Sequence, residues 1–320
     1  MNVGSLPAAD LTRRLRGDGL RLRNGPAVMC VRSQLDEVRD GIALHYAGHE
    51  VPTEDSFTNF HISVNRPPGL RSWLRAQVQF SLDGELPFSP LPGNQGFPLF
   101  EWGMNWCLSM HLHRFLMLHA AVVERDGRAL ILPAPPGSGK STLCAGLVWH
   151  GWRLLSDELT LIDPASGRIT PVPRPVSLKN ASIEVIRQFA PQATFGPVVP
   201  ETVKGSIGHF SPPPGTVERA HDTALPAWVV LPRFVAGAST QLQPLSKGRA
   251  LMALVDNSFN YQIHGAGGFH TLAALVHRSE CFEFSYSRLE EAVALFAELA
   301  DRRADGQAEE RTDVPREPSA

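Results

Sequence analysis

Ala134-Pro135-Pro136-Gly137-Ser138-Gly139-Lys140-Ser141-Thr142 is the stretch whose reading decides this chain. It has the form of a phosphate-binding loop, G/A-x-x-x-x-G-K-S/T, with Ala134 in place of the first glycine. Its flanks supply the required context. The apolar run Arg128–Pro133 reads as a strand entering the loop, and the amphipathic run Thr142–His150 reads as a helix leaving it. In such a loop successive backbone N–H groups curl into a nest for an anion, and the helix N-terminus adds its dipole. Gly137 and Gly139 remove the Cβ atoms that would hold the backbone away from a phosphate. The loop residues Pro135, Pro136, Gly137, Ser138, Gly139, Lys140, Ser141 and Thr142 are therefore candidate nucleotide-binding residues. Lys140 is placed to reach the β and γ phosphates, and the Ser141 hydroxyl to ligate magnesium. The competing reading is a plain Gly/Pro/Ser turn, against which motif and context agree.

The rest of the composition is that of an ordinary folded chain. Its 320 residues are 43% hydrophobic and 19% charged, enough for one large or two modest domains. A net charge of −2 argues against a broad nucleic-acid or anionic-membrane surface, so neither partner is expected. No apolar run approaches a transmembrane length, and the first residues lack a signal-peptide layout, which leads us to expect a cytoplasmic protein. Cys30, Cys107, Cys144 and Cys281 are scattered, with neither zinc nor disulfide spacing.

Three stretches are expected along the chain: an α+β module over 1–99, a catalytic domain over 100–300 and a disordered tail over 301–320. Residues 1–25, rich in arginine, read as a solvated, partly ordered start. Ala27–Val31, Phe60–Val64 and Ala76–Leu82 read as strands, and Phe100–Leu118 as a buried helix. Two apolar runs around Asp126-Gly127 predict a hairpin whose second strand feeds the loop. Trp152–Ser156 reads as a strand beside the loop strand, followed by Asp157-Glu158 and another strand. Residues 171–215, rich in proline, read as long surface loops, and Ala227–Phe234 as a core strand. A capping box at Ser287 and Glu290 predicts a last helix with a stripe of Leu289, Val293, Phe296 and Leu299 or Ala300.

The reaction is narrowed by polar residues at fixed distances from the loop. Asp157 follows Lys140 by 17 positions, at a strand end where ligands of open α/β sheets sit. A carboxylate there can bind Mg²⁺ or take a proton from an attacking hydroxyl, and Glu158 offers a second oxygen ligand. The metal set is thus Ser141, Asp157 and Glu158. His119 precedes Lys140 by 21 positions. Lys179, Lys204, His209 and Arg233 are further candidates for steadying transferred charge. Lys204 is preferred as a nucleotide contact because Gly205 beside it would permit close backbone approach.

His119, the hairpin, Pro136–Ser141 and Gly151-Trp-Arg-Leu-Leu-Ser-Asp-Glu158 together resemble the catalytic domain of the HPr serine kinase/phosphorylase family, and most closely its HprK-related kinase A subgroup. The likeness is specific over about 115–165. It continues loosely to about 298 through Arg174–Lys179, Lys204-Gly205, Phe234 and Ser258–Tyr261, and does not reach the N-terminal module. It implies a P-loop α/β kinase domain, a mixed sheet with flanking helices, preceded by the smaller α+β module. It further implies transfer of the γ-phosphoryl of ATP, with Mg²⁺, to a serine hydroxyl of a small acceptor protein or peptide. By the resemblance Asp157 is the general base, helped by His119, while Lys140 and Ser141 are the loop lysine and the magnesium ligand. Two positions depart from the family: Glu158 replaces a second aspartate, and Lys204-Gly205 stands where an Arg-Gly is usual, which puts the phosphorylase direction in doubt. The parent family forms hexamers, so a homo-oligomer stays open. A non-catalytic ATP-binding regulatory module and a plain ATPase are the alternative readings; ATP binding without transfer to any acceptor would favour the first.

Overall fold

The computed structural model describes residues 1–69 and 76–312, the stretch 303–312 by its backbone alone. The described residues are mixed α/β, with three sheets and helices on their faces.

The N-terminal part begins with α1 (Ala8–Arg16), β1 (Leu20–Asn24), β2 (Ala27–Arg32) and α2 (Asp36–His45). It continues with β3 (Phe60–Asn65), β4 (Gln77–Leu82), β5 (Leu91–Pro92) and α3 (Gly96–His111). The strands form a five-stranded sheet in sequence order, in which only β2 and β3 run parallel. The arginine-rich start is not a solvated arm: Leu11, Leu15, Leu20 and Leu22 are buried in the core of this sheet. Leucines at i and i+4 in α1, then at alternate positions in β1, each place one face inward, while Arg13 and Arg16 are exposed and Arg14, Arg21 and Arg23 are half-buried. The expected strands appear as β2, β3 and β4.

Helix α3 differs from the expected Phe100–Leu118. It ends at His111, and Leu116 to Leu118 open the next strand. A segment apolar on every side carries no period from which to place its end. Phe100, Met104, Cys107 and Leu108 of α3 are fully buried in the same core as β1–β5, and that core also takes in Leu159, Leu161 and Val172. Packing therefore crosses the boundary expected at residue 100.

The Asp126-Gly127 hairpin is present. β6 (Leu116–Arg125) and β7 (Arg128–Pro133) pair antiparallel, and the turn residues take φ of 54° and 76°. These are the left-handed values that a two-residue hairpin turn demands. Next come α4 (Lys140–Trp149), β8 (Arg153–Ser156), β9 (Leu159–Ile162) and β10 (Ile169–Thr170). β11 (Val176–Lys179), α5 (Ala181–Phe189), β12 (Val199–Thr202) and β13 (Gly205–Phe210) follow. The chain closes with β14 (Leu225–Phe234), β15 (Gln241–Pro244), α6 (Lys247–Asp256), α7 (Tyr261–Arg278), β16 (Glu280–Tyr286) and α8 (Leu289–Thr312).

The large sheet has eight strands, ordered β10-β9-β6-β7-β14-β16-β15, with β8 also paired to β6. β7, β14 and β16 are parallel and the other pairings antiparallel. β8 does not lie beside the loop strand as expected. The hairpin partner β6 occupies that edge of β7, so β8 and β9 pair end to end along the far side of β6. Period-two alternation then sorts the faces. Ala121, Val123, Leu130 and Leu132 meet α4, α5 and α8, while Leu118, Ala120, Ala129 and Ile131 meet α6 and α7.

Two further expectations fail at their edges. The proline-rich 171–215 is not surface loop throughout: β11, β13 and β12 form a small antiparallel sheet and α5 packs on it. Its prolines lie mostly before β11 and after β13, leaving Val176, Leu178 and Ile207 free to be buried in between. Ser287 does not cap the last helix; its hydroxyl donates to Ala238 O at 2.7 Å. The stripe Leu289, Val293, Phe296, Leu299 and Ala300 is buried as expected. The supposedly disordered tail continues α8 to Thr312, in keeping with its Ala, Glu, Arg and Gln content; residues 313–320 lie outside the described residues.

Candidate functional site

Strand β7 runs into the loop and α4 leaves it at Lys140, as the motif requires. Gly137 and Gly139 take φ of 85° and 86°, where only glycine is unstrained. At Gly139 space also matters: a Cβ would fall 2.5 Å from Tyr286 Oη and 2.9 Å from Phe234 Cβ. The Tyr286 hydroxyl donates to Gly139 O at 2.9 Å, and Phe234 N donates to Ser138 O at 2.9 Å. The ends of β14 and β16 therefore brace the loop in its bent form.

The loop opens onto a cleft of about 600 Å³. His119, residues 135–142, Glu158, Ser177 and Lys179 line one end of it. His119 shares the face of β6 that Ala121 and Val123 present to α4, so its ring reaches the loop lysine. Lys140 Nζ lies 3.4 Å from His119 Nε2. Burial and the Lys140 charge push the His119 pKa down to about 4, so the ring is neutral near pH 7 and accepts from the ammonium. Burial also lowers the pKa of Lys140, against the pull of Asp157 and Glu158.

Asp157 and Glu158 occupy the break between β8 and β9, where Ser156 faces Val122 and Leu159 faces His119. Asp157 is buried, and its Oδ2 accepts from Ser177 N at 3.2 Å. Burial first, and Glu158 second, raise its pKa to about 6, while Lys140 and a hydrogen bond from Ser141 act against them. For Glu158, burial acts upward but is outweighed by Arg174, Lys179, Lys204 and Lys140, which hold its carboxyl below the usual range. Lys179 Nζ stands 4.0 Å from Glu158 Oε1.

The other sequence candidates scatter. Lys204 tops the β12–β13 hairpin with its Nζ 5.1 Å from the centre of the Trp102 ring; it is not among the cleft walls, though its charge acts on Glu158. Gly205 is needed for a reason other than phosphate approach: a Cβ there would fall 2.2 Å from Asn180 Oδ1. His209 is buried beside His45 and Phe97, away from the loop, and Arg233 is exposed outside the cleft walls.

One group was invisible in the sequence as a group. Arg174 Nη1 donates to Glu101 O at 2.9 Å and lies 3.4 Å from Glu101 Oε2, and its Nη2 donates to Asn105 Oδ1 at 2.6 Å. The Tyr46 hydroxyl donates to Glu101 Oε1 at 2.5 Å. Helix α3, with Tyr46 just after α2 bracing Glu101, thereby fixes the guanidinium that contributes most to keeping Glu158 ionised. In the sequence Arg174 falls only within the loose likeness over 174–179, and nothing in the spacing of 46, 101 and 174 announces that they meet.

The residues present fit a phosphate and a hard cation. Ser138 Oγ, Ser177 Oγ and Asp157 Oδ1 are buried and have no partner among the described residues. Buried polar atoms are normally paired, so three orphans around one loop mark a place for a polar ligand. Among the described residues no three His, Cys, Asp or Glu converge as a metal cage. Mg²⁺ takes one or two carboxylates and completes its shell with water and phosphate, and Asp157 and Glu158 are the carboxylates that could serve it.

Compared with known proteins, residues 104–178 match the family of the SynChlorMet cassette protein ScmC. That segment contains His119, the loop, Asp157 and Glu158 but well under half of the chain. No curated protein matches. Among solved structures, the chain is similar to the HPr(Ser) kinase/phosphatase from Coxiella burnetii. Identity is 9% and the TM-score 0.26, over 60% of this chain and 98% of that one. A superposition this loose carries no argument about fold or activity. No helix among the described residues is long and apolar enough to cross a membrane.

Proposed function

We propose that the protein is an ATP- and Mg²⁺-dependent kinase that transfers the γ-phosphoryl group to a serine hydroxyl of a small protein or peptide. The observation that carries this reading is the gathering of His119, Lys140 and Glu158 on one loop-lined cleft, with Asp157 buried beside Glu158 in the adjoining chamber and near enough to Lys140 to act on its charge. A phosphate site alone would serve an ATPase or a switch. A buried carboxylate with a free oxygen, at a pKa of about 6, adds a base suited to deprotonating an alcohol near neutral pH.

In the proposed step the serine oxygen bonds to the γ-phosphorus as the bond from that phosphorus to the bridging oxygen of the departing diphosphate breaks. The serine proton passes to Asp157. Lys140 and the loop N–H groups hold the phosphates and balance their charge, which supplies most of the rate in such transfers. His119, neutral, fixes the direction of the Lys140 ammonium. Ser141, Asp157 and Glu158 would hold Mg²⁺. When bound, that ion neutralises charge on the phosphate oxygens.

The test is transfer of label from γ-labelled ATP to candidate acceptors, which co-purification would supply. Asp157→Asn should lower transfer at least about 10²-fold while ATP still binds. Undiminished transfer by that variant would end the proposal.

A further inference from the structure

Past the phosphate loop the same cleft changes character. One wall is the start of α5, with Val185 exposed on it, and the other carries Phe234 and Leu289. Phe234 is 49% exposed, unusual for a phenylalanine whose backbone is part of a core strand. Its ring meets Tyr286 edge-on, with centroids 5.7 Å apart, which leaves a face to the cleft.

The position of this slot follows from strand order. The loop leaves β7; Asp157 lies at the end of β8, on the β6 side, whereas Phe234 and Tyr286 end β14 and β16 on the opposite side. A triphosphate laid across the loop with its γ-phosphate toward Asp157 directs its nucleoside end at the slot.

Most polar side-chain atoms here are already committed, the amide nitrogen of Asn180 excepted. Asn180 Oδ1 accepts from Ser206 N, and the Ser182 hydroxyl donates to Lys179 O while accepting from Lys179 N. The Ser287 hydroxyl donates to Ala238 O, and that of Tyr286 to Gly139 O. No carboxylate stands among the described lining residues of these two walls. Discrimination between bases requires side-chain or main-chain groups aimed at the base edge, and a contact made by apolar walls and an aromatic face tolerates any base.

Resting on the kinase reading above, we propose that this apolar slot holds the nucleobase of the phosphoryl donor by contact with Phe234, Val185 and Leu289 without reading its edge, so that adenine and guanine nucleoside triphosphates are both accepted. The nucleoside adds affinity through contact, and the phosphate loop supplies the rest.

The test is equilibrium binding of ATP, GTP and inorganic tripolyphosphate to the full chain in the presence of magnesium. ATP and GTP should bind within about tenfold of each other; a site built to hydrogen-bond one base would separate them by orders of magnitude. Phe234→Ala should weaken both nucleotides alike, by roughly 5- to 100-fold, and leave tripolyphosphate where it was. Val185→Ser, on the facing wall, should show the same pattern at smaller size, and serves if the first variant fails to fold. A separation of ATP from GTP beyond about 100-fold, or nucleotide binding indifferent to both substitutions, overturns the inference and leaves the kinase reading standing. Failure of wild-type protein to bind tripolyphosphate and nucleotides alike overturns the phosphate-loop reading itself, and this inference with it.

Discussion

Glu101 and Glu158 line the same small chamber, yet the chain treats them in opposite ways. Glu101, from α3, is fully enclosed, and burial pushes its pKa up to about 7 despite Arg174 and the Tyr46 hydroxyl. Glu158, at the β8–β9 break, is held below the usual carboxylate range because four cations face it. The difference lies in surroundings rather than residue type. The N-terminal region places its buried polar groups where burial favours their neutral forms: His45 and His49 are pushed down to about 4, and Tyr46 is driven well up. The loop region gathers charged groups close enough to hold Glu158 ionised, even though burial raises the pKa of Asp157 and lowers those of Lys140 and His119. Buried charge is expensive unless paired, so a cluster that retains it marks where a charged ligand is to be met.

Arg174 belongs to both regions, and removing it tests the comparison most severely. Arg174→Met leaves Glu101 enclosed without its cation. It should cost about 3–5 kcal/mol in urea unfolding, the usual penalty for breaking a buried pair on one side. Unchanged stability would mean that the two regions are not joined through this cluster. Gly139→Ala comes next. With a φ of 86° and Tyr286 Oη 2.5 Å from the new methyl, the loop must shift, at a cost of roughly 1–3 kcal/mol. ATP binding should fall with it, while the pairing of β1–β5 seen by hydrogen exchange stays as it was. Loss of protection across that sheet would contradict the separation drawn here.

A third effect is set by pH and is divided among three rings. His45, His49 and His209 are buried, and burial lowers their folded-state pKa values to about 4, 4 and 3. An unfolded histidine titrates near 6.5, so these groups contribute stability that is fully present above that value. On acidification the unfolded chain binds the protons first, and stability falls from about pH 6.5 down through pH 4, by roughly 1.4 kcal/mol per pH unit for each histidine. Urea midpoints measured across this range check the slope, and His209→Phe should flatten it by one histidine's share. A midpoint flat between those values would show that the three rings are hydrated after all.

The sequence was most legible where local geometry decides structure. The turn at Asp126-Gly127, the bent glycines of the loop and the stripe of α8 each follow from residues a few positions apart. It was least legible where partners are distant. Ser287 looked like a helix cap but turns to Ala238 O, and β8 was expected beside β7 but lies beyond β6. The arginines of α1 and β1 hid buried leucines, because a count of charges ignores which face they occupy.

By itself, then, the chain's order of residues determined a strand, a glycine-bent loop and a helix in succession, since backbone φ and side-chain period are local properties. Only the tertiary structure decided that His119 meets Lys140, that Asp157 keeps one oxygen unpartnered, and that Tyr46, Glu101 and Arg174 close on one another from three parts of the chain. Those outcomes depend on strand order and burial, which arise from packing the whole chain at once and leave no mark on the spacing between neighbours.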